Sequence, residues 1–263
     1  MSSEAARDAG LRARVLREAE DWVWVPPDAE DVVTEEYRLV AYPDRTAVQW
    51  SRTSGLPALV DELTGVARER GHPLRWWVNG RTEPADTDEV LRSRGFAQVE
   101  HVDVVARGLG GIEADVGPTP DVEVRPADDE ADIDLSGRLG AEVFGWEPPT
   151  SAQLAHEVDL ARQARDAGRW TVRRFLASVD GEVVGTAGYT LHRGTVRLWG
   201  GAVLESARGR GAYRALLAAR CADARRQGCD LALVKGRVET SGPVLRRAGF
   251  TAYDAERCFQ QDG

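Results

Sequence analysis

The stretch Ala207–Leu233, ARGRGAYRALLAARCADARRQGCDLAL, places two arginines and two glycines directly before a segment with the pattern of an amphipathic helix. Gly209 and Gly211 would weaken any helix that contained them, by about 1 kcal/mol each relative to alanine. At the start of a helix, however, glycine lets a ligand approach the backbone, and the free N–H groups of the first turn attract anions. The stretch therefore predicts an anion-binding loop that fits a diphosphate. A solvated loop with glycines that serve only a turn is the alternative.

The sequence around this loop predicts alternating strands and helices. A strand over VEVRPADD precedes helical segments near 132–144 and 152–167, and three strands follow over FLASVDGEVVGTAGYTLHRGTVRLWGGAVL. Asp180-Gly181 and Arg193-Gly194 fall where tight hairpin turns are expected. Behind the loop, the segments LALVKG, SGPVLRRAGF and TAYDAERCF predict a strand, a short helix and a last strand. This order is typical of an α/β domain.

The first half of the chain ends in the same order of elements. RTAVQW, LPALVDELTGVARERG, PLRWWVNG, DTDEVLRSRGF and AQVEHVDVVA predict strand, helix, strand, helix and strand. TAVQW echoes TVRLW and LRSRGF echoes LRRAGF, but SRTSGLPALV stands where the second half has its glycine–arginine loop. With GLGGIEADVGPTP as a linker over 108–120, we predict a degenerate copy over 1–107 and a second copy over 121–263. Two α/β domains that share generic patterns by chance are the alternative.

Composition excludes several classes of partner. A net charge of −9 and a pI near 5.1 over 263 residues argue against nucleic acid, and no apolar run reaches the roughly 20 residues that span a bilayer. The charged N-terminus does not resemble a signal peptide, so we expect no membrane partner. Three cysteines without a disulfide framework predict a cytoplasmic location. Cys221, Cys229 and Cys258 form no CxxC pair, and the four histidines form no cluster, so no metal site is expected. Lys235 is the only lysine among 34 basic residues, a bias typical of GC-rich bacterial genes.

The loop resembles the acyl-CoA signature of the GCN5-related N-acetyltransferases, the GNAT superfamily, whose core is R-x-x-G-x-G/A. Arg208 and Gly211 match the first two fixed positions, whereas Tyr213 stands where the family usually has glycine or alanine. SGPVLRRAGF resembles a second family motif, a short helix that ends in Gly-Phe. The resemblance implies a bacterial tandem protein with an α/β fold. Each of its two GNAT-like domains would have a mixed, mostly antiparallel sheet flanked by helices.

The resemblance also implies that acetyl-CoA is the co-substrate and that a small-molecule amine attacks it directly. The strand Thr195–Leu204 would splay from its neighbour at Gly200-Gly201, and a backbone N–H near Val203 would polarise the acetyl carbonyl. The expected cofactor-binding residues are Ala202, Val203, Leu204, Arg208, Gly209, Arg210, Gly211, Ala212, Tyr213 and Ser241. A homodimer is a candidate assembly.

The usual acid and base of the family are missing from their positions. Members often carry a glutamate on the splayed strand and a tyrosine in the helix before Gly-Phe, where this chain has Arg197 and Leu245. Glu147 and Tyr189 are the candidate catalytic substitutes, although a surface carboxylate and a core tyrosine need no such role. An N-acetyltransferase is the leading prediction. A non-catalytic acyl-CoA-binding pseudoenzyme with a regulatory or assembly role is the alternative.

Overall fold

The computed structural model describes residues 3–112, 116, 117 and 119–262. The chain forms two compact units. Unit 1 comprises Met1–Val104, Gly236–Gly242 and Ala252–Gly263, and unit 2 comprises Val105–Lys235 and Pro243–Thr251. Each unit combines helices with a sheet, which confirms the predicted α/β fold class. None of the described helices is long and apolar enough to cross a membrane.

Unit 1 packs helices on a mixed sheet. Its strands lie in the order β1 (Glu30–Val33), β2 (Tyr37–Ala41), β3 (Thr46–Ser51), β4 (Leu74–Val78) and β11 (Thr251–Gln261). Its helices are α1 (Ser3–Glu20), α2 (Leu56–Glu69) and α3 (Thr87–Ser93). Strands β3 and β4 are parallel, and the other neighbouring pairs are antiparallel. Leu63 of α2 and Leu91 of α3 pack with the fully buried Trp76 of β4. The sequence patterns do not predict β1 and β2.

Unit 2 contains the glycine–arginine loop. Its strands lie in the order β10 (Leu231–Arg237), β9 (Thr195–Val203), β8 (Glu182–His192), β7 (Val172–Val179) and β6 (Val122–Ala127). Its helices are α4 (Glu130–Phe144), α5 (Ser151–Asp166), α6 (Ala212–Arg226) and α7 (Ser241–Arg247), and the first two residues of α7 fall in unit 1. Only β9 and β10 are parallel, so most neighbouring pairs are antiparallel, as predicted. Strand β5 (Ala97–Gly108) contributes residues to each unit.

The two predicted hairpin turns of unit 2 are present. Asp180 and Gly181 have φ angles of 54° and 83°, and Arg193 and Gly194 have φ angles of 47° and 78°. Two consecutive residues with positive φ are the geometry of a two-residue type I′ hairpin, which matches the twist of the flanking strands. These turns fix the antiparallel pairing of β7 with β8 and of β8 with β9.

Three residues of the segment predicted as a linker belong to the core of unit 2. Leu109, Ile112 and Val116 are buried there, and the Leu109 N–H donates to the carbonyl of Asp230 at 2.9 Å. The spacing of these three apolar residues is a signal of burial that the surrounding glycines and prolines obscured. Residues 113–115 and 118 of the predicted linker lie outside the described residues.

The last strand groups with the first unit. Strand β11 pairs antiparallel with β4, from Arg257 opposite Val78 to Gln261 opposite Leu74. The compact units therefore differ from the predicted boundaries, which placed the whole of 121–263 in one domain. Strand pairing, which no local pattern encodes, makes the difference. The division into sequence copies over 1–107 and 121–263 stays a proposal.

The pairing of the echoed strands agrees between the two units. Thr46, the first residue of the first echo, lies opposite Leu74 in the parallel pair of β3 and β4. Thr195, the first residue of the second echo, lies opposite Leu231 in the parallel pair of β9 and β10. The same position of the motif therefore begins the same kind of ladder in each unit.

Candidate functional site

A cleft of about 660 Å³ opens in unit 2 beside the start of α6. Six of the predicted cofactor-binding residues line it, namely Val203, Arg208, Gly209, Gly211, Ala212 and Tyr213. The cleft is also lined by four residues that the sequence analysis does not predict, namely Arg214, Val244, Arg247 and Ala248. The two arginines lie inside the motifs GRGAYR and LRRAGF, so the motifs themselves carried the signal that could have found them.

The loop before α6 has the backbone that only glycine adopts readily. Gly209 has a φ of 79° and Gly211 a φ of 94°, and Gly211 is the N-cap of the helix, with no side chain that caps the first turn. A Cβ added to Gly211 would lie 3.2 Å from Cγ2 of Thr119. The first turn therefore has no side-chain cap at its N-terminus, the positive end of a helix of 15 residues.

Strand β9 contains the predicted bulge. Between the pairs Thr186–Ala202 and Gly188–Trp199, β8 has one residue and β9 has two, Gly200 and Gly201. Gly200 has a φ of 61°. One extra residue on one strand of an antiparallel pair is a β-bulge, which bends that strand.

The bulged strand turns a backbone donor away from β8. The N–H of Leu204 donates to the carbonyl of Val184 at 2.9 Å, so it is used within the sheet. Successive N–H groups of a strand point to opposite edges, so the N–H of Val203 points away from β8. The paired residues of β9 and β10 run only from Thr195 to Leu198, before the bulge. Val203 itself lines the cleft.

The remaining predicted cofactor-binding residues lie outside the lining of the cleft. Arg210 forms an exposed ion pair with Asp180, with 2.8 Å between Nη1 and Oδ2. Ala202 is buried in the sheet. Ser241 belongs to unit 1, at the start of α7, where its hydroxyl donates to the Arg237 carbonyl at 3.4 Å. The cleft is thus lined by six of the ten predicted residues and not by Ala202, Leu204, Arg210 or Ser241.

Comparison with known proteins identifies this region. A family model described as the acetyltransferase (GNAT) family matches residues 141–250. Residues 141–250 are therefore similar to the GNAT acetyltransferases. A curated relative, mycothiol acetyltransferase of Actinosynnema mirum, is 34% identical over 135 residues, which cover 50% of this chain and 43% of that protein. The chain therefore matches less than half of that relative's length.

Solved GNAT structures resemble the chain over most of its length. A GCN5-related N-acetyltransferase from Kribbella flavida has a TM-score of 0.65 at 16% identity and covers 95% of this chain and 94% of its own. A tandem GNAT protein from the clavulanic acid biosynthesis pathway has a TM-score of 0.56 at 14% identity, over 92% of this chain and 86% of its own. At these identities the likeness shows the GNAT fold.

The two positions where GNAT proteins often carry an acid and a base hold other residues. Arg197 is buried on β9, and Leu245 is fully buried in the core of unit 2. Glu147, one proposed substitute, lies on an exposed loop after α4 and is not among the residues that line the cleft. Its neighbour Trp146 stacks on Phe144, with 4.5 Å between the ring centroids.

Tyr189, the other proposed substitute, lies in a buried polar network beneath α6. Its hydroxyl donates to Oδ2 of Asp223 at 2.5 Å and accepts from the Gln227 amide at 2.8 Å. Burial, and then the hydrogen bond to Asp223, raise the pKa of Tyr189 above its ordinary value. Burial alone would raise the pKa of Asp223, but the Tyr189 hydroxyl and the charge of Arg173 hold it below its ordinary value. Tyr189 does not line the cleft, so the structure gives its predicted catalytic role no support.

We expect Tyr189→Phe to lower the free energy of unfolding and leave activity unchanged. The substitution removes a buried hydrogen bond to an ionised carboxylate, which contributes about 1.5–3 kcal/mol. Urea unfolding, with Tyr253→Phe as a control for loss of a less buried hydroxyl, measures the difference. A folded Tyr189→Phe protein that is as stable as the wild type but a hundredfold slower would restore the hydroxyl to catalysis.

Proposed function

We propose that this chain is an N-acetyltransferase that moves the acetyl group of acetyl-CoA to a small-molecule amine in a bacterial cytoplasm. One observation carries the proposal: the glycine-lined start of α6 and the outward edge of β9 meet in one arginine-bearing cleft. The GNAT family model covers the same residues and supports acetyl transfer as the general reaction.

The cleft fits the two ends of acetyl-CoA. A diphosphate needs N–H donors and positive charge, which the first turn of α6, Arg208 and Arg247 supply. Gly211 has no side chain that would occupy the space beside this turn, where an added Cβ would already lie 3.2 Å from Cγ2 of Thr119. The pantetheine arm and the acetyl group need backbone donors along an unpaired strand edge, which Val203 provides.

The reaction on this site is a direct transfer. The amine nitrogen attacks the thioester carbonyl carbon, a C–N bond forms, the C–S bond breaks, and CoA leaves as a thiolate. The N–H of Val203 would stabilise the negative charge that develops on the carbonyl oxygen. Because Arg197 and Leu245 stand where an acid and a base are usual, the amine would lose its proton to water.

Native mass spectrometry of the purified protein tests this proposal first. We expect a bound CoA species or, after addition of acetyl-CoA, a mass increase that matches it. A panel of primary amines is then screened for CoA thiol release. A chain that binds no CoA species at 100 µM, a concentration of about ten times an assumed Kd of about 10 µM, would refute the proposal.

A non-catalytic acyl-CoA-binding protein is the second candidate. The buried Arg197 and Leu245 favour it, because neither side chain can take a proton from an amine at neutral pH. This candidate shares the cleft with the first. It predicts acetyl-CoA binding without turnover of any amine in the panel.

We expect one acetyl-CoA per chain, because the described residues of unit 1 contain no equivalent of the loop before α6. Helix α2 begins after Gly55, whose φ of −100° is ordinary, and Pro57 in its first turn has no N–H to offer an anion. The Thr53 hydroxyl accepts from the Gly55 N–H. This first turn therefore supports the proposal that 1–107 is a degenerate copy.

Isothermal titration calorimetry with acetyl-CoA measures the stoichiometry of this binding. A value near two would show that unit 1 holds a second site and would contradict the degenerate copy. The same conclusion would follow if Gly211→Val lost one binding site for acetyl-CoA and kept another.

A further inference from the structure

Arg220 is a buried cation at the middle of α6, with 1% of its surface exposed. Its Nε donates to the Leu216 carbonyl at 3.1 Å, and its Nη1 donates to the carbonyls of Gly188 at 3.0 Å and Trp199 at 3.2 Å. Burial lowers the pKa of this guanidinium. A charge in such a place is costly unless its donors are satisfied, so these carbonyls are the reason that it can be there.

The two strand carbonyls belong to the bulge. Gly188 and Trp199 are the pair at which the register of β8 and β9 changes. An extra residue disrupts the ladder locally, and buried carbonyls there need other donors. One guanidinium nitrogen supplies a donor to each strand at this point.

The bulge decides which backbone donor faces the cleft. With the two residues Gly200 and Gly201 opposite one residue of β8, Leu204 donates to Val184, and the N–H of Val203 points the other way. A shift of one residue in a strand exchanges its two edges and faces. Without the bulge, the N–H groups of Ala202 and Leu204 would point away from β8 in place of that of Val203.

The bulge also contacts the wall of the cleft. A Cβ on Gly201 would lie 2.8 Å from Cε2 of Tyr213, a residue that lines the cleft. Helix α6 therefore contacts the bulge twice, through the ring of Tyr213 and through Arg220.

We propose that Arg220 is a positioning residue that holds the β9 bulge, so that the N–H of Val203 faces the pantetheine arm and acetyl group of acetyl-CoA. This inference rests on the proposed function. Arg220 would therefore affect the binding of the pantetheine arm and the acetyl group. The first turn of α6 would bind the diphosphate.

Calorimetry with two ligands separates these ends. CoA and ADP both contain adenosine and a diphosphate, but only CoA has a pantetheine arm. We expect Arg220→Met to weaken CoA binding about fivefold and to change ADP binding less than twofold. Arg220→Lys, which keeps the charge with fewer donors, should lie between Arg220→Met and the wild type. Arg225→Met, an exposed arginine of the same helix, is the control and should bind both ligands like the wild type.

Amide hydrogen exchange tests the bulge without any ligand. We expect faster exchange over 199–204 in Arg220→Met and no change in Arg225→Met. If Arg220→Met does not fold, two other variants are measured with CoA and ADP in its place. One is Arg220→Lys, and the other is a deletion of Gly200, which removes the extra residue of the bulge from β9.

A folded Arg220→Met protein with wild-type CoA affinity, or with equal losses for CoA and ADP, would overturn the inference. Failure of the wild-type protein to bind CoA would instead refute the proposed function. Unchanged exchange over 199–204 would refute the role of Arg220 in the bulge in either case.

Discussion

Gly211→Val should weaken acetyl-CoA binding at least tenfold, which corresponds to about 1.4 kcal/mol. The φ of Gly211 is 94°, a conformation that a β-branched residue rarely adopts. An added side chain would also meet Thr119, with 3.2 Å between the new Cβ and Cγ2 of the threonine. Both effects would displace the loop, so that the first turn of α6 could no longer bind a diphosphate in the same position. Calorimetry on the folded variant gives the loss directly.

Gly228→Val is the matched control for this substitution. Gly228 lies just beyond the other end of α6, has a φ of 87°, and has nothing within 4 Å of an added Cβ. The two variants should therefore lose similar stability from backbone strain, while only Gly211→Val loses affinity. Unchanged affinity in folded Gly211→Val would refute the diphosphate assignment, and equal losses in the two variants would attribute the effect to strain in α6.

The rate of acetyl transfer should rise close to tenfold per pH unit from pH 7 to 9, about a hundredfold in total. An alkyl amine with a pKa near the lysine reference of about 10.4 is less than a thousandth neutral at pH 7, and only the neutral form attacks. A protein base would flatten the profile above its own pKa. The residues Arg197 and Leu245 at the usual positions favour the steep form. Initial rates at subsaturating amine and saturating acetyl-CoA give this profile.

Glu147→Gln distinguishes the two forms of the profile. Because Glu147 is exposed and does not line the cleft, we expect its rate to stay within twofold of the wild type at each pH. Glu142→Gln, another exposed glutamate of the same region, controls for the loss of one negative charge. A flat profile together with a hundredfold slower Glu147→Gln protein would identify Glu147 as the base.

Local patterns were sufficient for most elements of unit 2. The type I′ turns at Asp180-Gly181 and Arg193-Gly194 need positive φ at both residues, a demand that a short sequence expresses by itself. The bulge at Gly200-Gly201 was predicted for the same reason, since glycine in a strand marks such a site. In unit 1, β1 and β2 were missed because strands of four and five residues are too short to show much periodicity.

Roles that depend on distant contacts could not be predicted. Tyr189 was a candidate acid because a tyrosine can donate a proton, but its contacts with Asp223 and Gln227 are 34 and 38 residues away in sequence. Arg220 looked like any arginine of an amphipathic helix. Only its contacts with the carbonyls of Gly188 and Trp199 show that it is buried at the bulge.

The sequence by itself determined the glycine loop before α6, the hairpin turns, most elements of unit 2 and the resemblance to the GNAT family, because each depends on neighbouring residues and their backbone preferences. Only the tertiary structure decided that β11 pairs with β4, that Leu109 and Ile112 are buried, and that Val203 directs its N–H away from β8. Strand pairing joins residues far apart in the chain, and its register depends on which faces become buried together. No window of local sequence contains that information.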